Sequence, residues 1–214
     1  GGGGGGRIAV YAQPALPITT QSRGGCGAAS SGCSSNYAGA GTIYNGGSCS
    51  IGIENRGSGT SNCTPIAATV TVANLTVSQH GKAQVADSLE LQASLTVDAS
   101  STLVTTGANT VINAPTTLVL GSLLANNSLQ LNATDVTVGT GGNMKCSGTL
   151  CTIDANVADT WSVLGTVEGS FVDVNSASTS VSGTITTQGR GYSAGQGPGA
   201  GQVCGSSQGA SGGT

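Results

Sequence analysis

Ionisable side chains are scarce in this chain, and one stretch gathers several of them: His80, Lys82, Asp87 and Glu90, with Asp98 a little further on. A polysaccharide lyase or hydrolase needs paired carboxylates, or a carboxylate with a basic partner, converging on one bond. The local spacing puts these five groups at turn edges, so a solvated loop is their expected role. The other acids, Asp135, Asp154, Asp159, Glu168 and Asp173, are scattered, while Arg7, Arg23, Arg56 and Arg190 stand in glycine-rich stretches without carboxylate neighbours. No catalytic residue is assigned. No metal or cofactor is expected either. His80 is the only histidine and no Cys-x-x-Cys pair occurs, which leaves a zinc site without ligands. The glycine runs lack the strand-loop-helix setting and the Gly-Lys-Ser/Thr of a phosphate loop, since Gly81-Lys82 is followed by Ala83. Gly141-Gly142-Asn143-Met144 does not continue into a calcium-binding nonapeptide.

Cysteine is the other reactive residue type. Seven cysteines in a chain so poor in charge point to an oxidising compartment, and the odd count leaves one without a partner. Sequence alone leaves the pairing open. Nearness favours Cys26 with Cys33, Cys49 with Cys63, and Cys146 with Cys151, with Cys204 free or bonded to another segment or chain. Four Asn-x-Ser/Thr sequons, at Asn62, Asn74, Asn126 and Asn132, are candidate glycosylation sites. With a quarter of the chain Ser or Thr, that number is what chance provides. Asn74 and Asn126 read as lying beside strand ends, and Asn132 as part of a polar ladder.

Composition narrows the class. The chain has 214 residues, of which 37 are Gly, 27 Ser and 27 Thr; only 7% are charged and 3% aromatic. Its surface must therefore be wetted by hydroxyls, amides and backbone. Six basic residues against nine acidic ones exclude a nucleic-acid footprint. A net charge of −3 excludes charge-driven disorder, and unperiodic glycine excludes collagen. No apolar run approaches the roughly 18 residues of a membrane span, and no signal-peptide pattern is present. A start inside a six-glycine run reads as a segment of a longer secreted protein.

The elements that would position any site come from hydrophobic period. Apolar residues alternate in short bursts, such as Leu75-Thr76-Val77, Leu95-Thr96-Val97 and Val136-Thr137-Val138, which is the pattern of strands. The bursts recur at about twenty residues, a solenoid length. Three columns align: Val77, Val97, Leu120, Val138, Val163; then Val85, Val104, Leu124, Met144, Val167; then Leu91, Ile112, Leu131, Ile153, Val174. Members of the third are followed by polar residues, giving an expected ladder of Gln92, Asn113, Asn132, Asp154 and Asn175. Three strands per repeat predict a right-handed parallel β-helix, with rungs about 4.8 Å apart and an antiparallel β-sandwich as the alternative. Residues 69–189 are the expected regular turns, with five aligned between Val77 and Val174. Residues 1–68 and 190–214 are expected to form Gly-rich irregular coils. Trp161 and Phe171 are expected in the core. The Thr-x-Thr pairs at Thr69 and Thr184 hint at an ice-binding face but do not repeat from rung to rung.

The flanks carry Gly4 to Tyr11 (GGGRIAVY), Ala38 to Tyr44 (AGAGTIY) and Gly183 to Tyr192 (GTITTQGRGY), the last followed by Gly197-Pro198-Gly199-Ala200-Gly201. This resembles the glycine-rich repeats of very large secreted proteins with pectin-lyase-like right-handed β-helices. The resemblance implies one stretch of a continuing stack. Neither flank shows a helical stripe or a charged edge that would cap it. The expected role is an extracellular structural one, a building block of a filament, appendage, sheath or wall whose partners are further copies or segments of the same kind. The alternative is a carbohydrate-binding or polysaccharide-acting β-helix.

Overall fold

The computed structural model describes residues 7–10, 42–45, 50–54, 63–66, 72–148 and 150–187. They hold seventeen strands and no helix. The first four are β1 (Arg7–Val10), β2 (Thr42–Asn45), β3 (Ser50–Glu54) and β4 (Thr64–Ile66). From there the chain alternates long and short strands: β5 (Val72–Ser78), β6 (Lys82–Val85), β7 (Leu89–Val97) and β8 (Thr102–Thr105). It continues with β9 (Asn109–Asn113), β10 (Thr116–Val119), β11 (Ser122–Ala125), β12 (Ser128–Val138) and β13 (Asn143–Cys146). The last are β14 (Thr152–Val163), β15 (Thr166–Glu168), β16 (Phe171–Val181) and β17 (Thr184–Thr186).

Each strand pairs in parallel with its counterpart one turn away, so the chain winds as a β-solenoid of about six turns. The short strands form one sheet in the order β17-β15-β13-β11-β8-β6-β4. The long strands form the other and bend around a corner, where the register shifts between Ala133 and Asp135 and again between Val157 and Thr160. Every turn therefore supplies three flat segments. Leu89 to Leu91 and Leu95 to Val97 are two arms of one bent strand, each pairing in parallel with other turns (Leu89 with Ile112, Leu95 with Thr117), which disposes of the sandwich. Among the described residues the one antiparallel pair is β2 with β3, before the regular turns. β3 and β4, though they precede residue 69, join the same two sheets through β5 and β6.

Burial follows the alternation. In the corner-to-corner arm containing Leu95, the inward columns are Leu75, Leu95, Thr117, Val136, Trp161 and Val77, Val97, Val119, Val138, Val163, none more than 1% exposed. The short sheet contributes Ala83, Leu103, Leu123, Met144 and Val167, all fully buried. The expected columns thus need correction by one residue in places. Val119 and not Leu120 lies between Val97 and Val138, while Leu103 and Leu123 face inward and Val104 and Leu124 outward. The cause is plain in the letters: Leu118-Val119-Leu120, Leu103-Val104 and Leu123-Leu124 are unbroken apolar runs, in which parity is undetermined and a one-residue slip exchanges the faces. In the third column, Ile112 pairs with Leu89 and not Leu91, and Leu131 with Ala155 and not Ile153. Phe171 also departs from expectation. It continues the outward column of Thr152 and is 43% exposed.

Corners after the second arm come in two lengths. Those at 120–121, 164–165 and 182–183 use two residues, whereas Ser78–Gly81, Asp98–Ser101 and Gly139–Gly142 are four-residue turns closed by a backbone hydrogen bond from the last N–H to the first carbonyl. Both central residues of the first turn have positive φ, Gln79 at 51° and His80 at 63°, as in a type I′ turn. The other two have it only at the third position, Ser100 at 64° and Gly141 at 80°, as in type II. Ser100 is therefore a side chain held where glycine belongs. Ser100→Gly is expected to raise stability by about 1 kcal/mol or slightly less, the relief of left-handed strain being offset by a freer unfolded chain. Urea unfolding of the two chains would show it, and a lower midpoint for the glycine variant would refute it.

Candidate functional site

The five ionisable groups His80, Lys82, Asp87, Glu90 and Asp98 are distributed over different corners and faces. His80 and Asp98 sit at one corner of successive turns, Lys82 points out from the short sheet, Asp87 lies at the next corner, and Glu90 belongs to the third face. No ion pair joins any of these among the described residues; the pair that does form is Lys145 with Glu168 at 3.3 Å, one turn apart in the short sheet. Among the described residues no group of three or more His, Cys, Asp or Glu gathers. No helix of the described residues is long and apolar enough to cross a membrane.

Cys146 and Cys151 are disulfide-bonded, with Cα atoms 5.7 Å apart and both residues buried. Their loop, 147–151, is longer than the corresponding corners at 86–88, 106–108, 126–127 and 169–170, which use two or three residues. The bond staples this longer corner. In a chain-entropy picture, a loop of this size contributes about 2 kcal/mol. Cys146→Ser with Cys151→Ser is expected to lose that much or more, since two buried sulfurs become hydroxyls, and the difference between thermal unfolding under reducing and oxidising conditions should be smaller in the variant. Cys63 is a half-buried free cysteine, contrary to the expected bond with Cys49. Their chain neighbours explain the failure, since Ser50 starts a strand of the long sheet and Thr64 one of the short sheet. Nearness in sequence does not bring the two sheets' strand starts together. Cys26, Cys33, Cys49 and Cys204 lie outside the described residues, as does the sequon Asn62.

The remaining sequons separate clearly. Asn126 is exposed at a corner. Asn74, expected beside a strand end, lies within β5 and accepts a hydrogen bond from Ser94 Oγ one turn on at 2.6 Å. Asn132 is indeed in a ladder, although its composition differs from the expected one. The registered column is Glu90, Asn113, Asn132, Asn156, Asn175. Asn156 Nδ2 donates to Asn132 Oδ1 at 3.3 Å, Asn132 Nδ2 donates to Asn113 Oδ1 at 2.6 Å, and Asn113 Nδ2 donates to the Glu90 carboxylate. All three donors point the same way along the axis. Asp154 falls one position aside, stacked on Asp173 and accepting from Asn156 Nδ2 at 3.2 Å. Alternation around Ala155 was the available signal, and the inserted residue at the corner obscured it.

Two surfaces stand out from this census. The outward side of the arms holding Leu95 and its counterparts bears short polar side chains. Its first line runs Asn74, Ser94, Thr116, Asp135, Thr160, Ser178. The second line is Thr76, Thr96, Leu118, Thr137, Ser162, Ser180. The other surface is the last described turn, where the apolar columns run out into solvent. Val163 and Val167 are fully buried, but Val181 and Ile185, their partners one turn later, are 47% and 38% exposed. No protein-family model, no curated protein and no solved structure matches the chain.

Proposed function

We propose that this chain is a building block of an extracellular structural assembly, stacking end to end with further copies or segments of the same kind. The observation that carries the reading is the exposed apolar pair on the last described turn. Val181 and Ile185 continue columns whose earlier members are wholly buried, and β16 and β17 are the last strands of the two sheets among the described residues. Such an edge templates a further strand layer, and a repeated head-to-tail contact that does not close builds an open fibre. Low charge and a stapled corner suit a durable polymer outside the cell, and the glycine-rich repeat resemblance agrees with it. Electron microscopy and sedimentation of the purified chain test the proposal: regular filaments are expected, and Val181→Asp with Ile185→Asp should disperse them while far-ultraviolet dichroism is retained. A wild-type chain that stays monomeric at every concentration would overturn it.

A second reading, carbohydrate binding, draws on one observation. A groove of about 310 Å³ runs beside the amide ladder, lined by Leu91, Asn113, Pro115, Asn132 and Thr134. An apolar floor with amide and hydroxyl groups at its side is the chemistry that neutral sugars meet. Retention on immobilised oligosaccharide, lost in Asn132→Ala, would favour it.

A further inference from the structure

Thr-x-Thr pairs looked isolated in the sequence, but registration of the turns places polar-x-polar triplets directly over one another on one face. Nine of the twelve positions in its two lines are Ser or Thr. The second line is the more regular, broken only by Leu118. The hydroxyls of Thr76, Thr96, Thr137, Ser162 and Ser180 have no hydrogen-bond partner among the described residues. The face is also nearly uncharged. Its one ionisable residue is Asp135, whose carboxylate already accepts the Thr160 N–H at 3.3 Å. The short sheet, by contrast, turns out Lys82, Lys145 and Glu168, and the third face Glu90, Asp154 and Asp173.

We propose that this hydroxyl face adsorbs to the surface of ice. Parallel rungs repeat about 4.8 Å apart, and residues two apart on a strand stand roughly 6.6 Å apart, so the hydroxyls form a rectangular net. Both spacings approach the oxygen repeats along and across the rows of an ice surface. Short side chains on a flat sheet keep the net planar. Threonine suits the task twice over: its hydroxyl substitutes for a lattice water, and its methyl restrains the waters between rungs. A charged group would instead hold a hydration shell of its own. Neutrality and regularity therefore act together, and of the three faces this one has both. End-to-end stacking would lengthen the net but is not needed for it; a monomer displays six rungs.

The test uses the full purified chain and the growth habit of single ice crystals, together with recrystallisation in a frozen sucrose solution. The wild type should facet the crystals and keep grains small. Thr96→Lys with Thr137→Lys, two outward changes at the centre of the face, should abolish faceting and require at least about tenfold more protein for the same grain size, which is roughly 1.4 kcal/mol of adsorption. Thr166→Lys, outward on the short sheet, should match the wild type. Unchanged dichroism and Trp161 emission certify the fold of each variant. Unfaceted crystals with the wild type overturn the proposal, as does an equal loss in Thr166→Lys, or retention on crystalline cellulose or chitin without any effect on ice.

Discussion

Valine in place of Gly165 is expected to cost about 3 kcal/mol or more, and alanine somewhat less, because the corner has no room for a β-carbon. A Cβ built on Gly165 falls against the carbonyl oxygens of Gly142 and Gly139, and one built on Gly142 falls against the carbonyl of Val119. These are backbone atoms fixed by the ladder, so a side chain cannot swing them away. The same position in successive turns is Gly81, Ser101, Gly121, Gly142, Gly165 and Gly183, each accepting through its carbonyl, where a further turn follows, the first N–H of the next short strand. Ser101 shows what a substituent entails, since its hydroxyl is buried and lacks a partner. Gly139→Ala is the control, because its Cβ meets chiefly the end of the Leu120 side chain. Urea midpoints should rank Gly139→Ala near the wild type, with Gly142→Ala and Gly165→Ala well below it and valine lowest. Equal midpoints across the set would show that the corner is softer than its geometry.

The second large effect is expected at Trp161. Its indole is fully buried, stacked in register between Val136 and Thr179. Trp161→Ala should lose about 3–5 kcal/mol through lost transfer energy and the cavity left behind. Trp161→Phe should lose much less, because Nε1 has no hydrogen-bond partner among the described residues and its removal relieves a desolvated donor. The wild-type emission should be blue-shifted and shift red only with global unfolding. If both variants lost the same amount, the N–H would have to have an unseen partner, such as a buried water.

Much of this architecture is legible in the letters, and the failures have a common cause. Where one apolar residue is flanked by polar residues or glycine, as at Val77, Val97 and Val138, alternation fixes which side chain faces inward, and the structure agrees. Where apolar residues adjoin, as at Leu118 to Leu120, alternation has no purchase and the choice slipped by one. The ladder was half legible for a related reason. Asn113, Asn132 and Asn175 are registered as expected, while Glu90 and Asn156 replace Gln92 and Asp154 because corner insertions shift the count between arms. Pairing the cysteines by proximity succeeded for Cys146 with Cys151, both on one corner, and failed for Cys63, whose strand belongs to a different sheet from that following Cys49. The hydroxyl face was illegible as a motif, since its triplets share polarity and spacing but no consensus.

Corner length has a final consequence for how the molecule finds its phase. A stack of near-identical turns is degenerate: sliding one turn past its neighbour by a full repeat would leave most backbone hydrogen bonds intact. What breaks the degeneracy is the aperiodic part. Along the chain, the corners after the second arm run four, four, two, four, two and two residues, and the stapled loop, the lone indole and the carboxylate at the head of the amide ladder each occur on a single turn. The irregularities therefore act as the frame marks of an otherwise repetitive text. Making the six corners uniform should leave a chain that still winds, yet settles into several registers where the natural one settles into one.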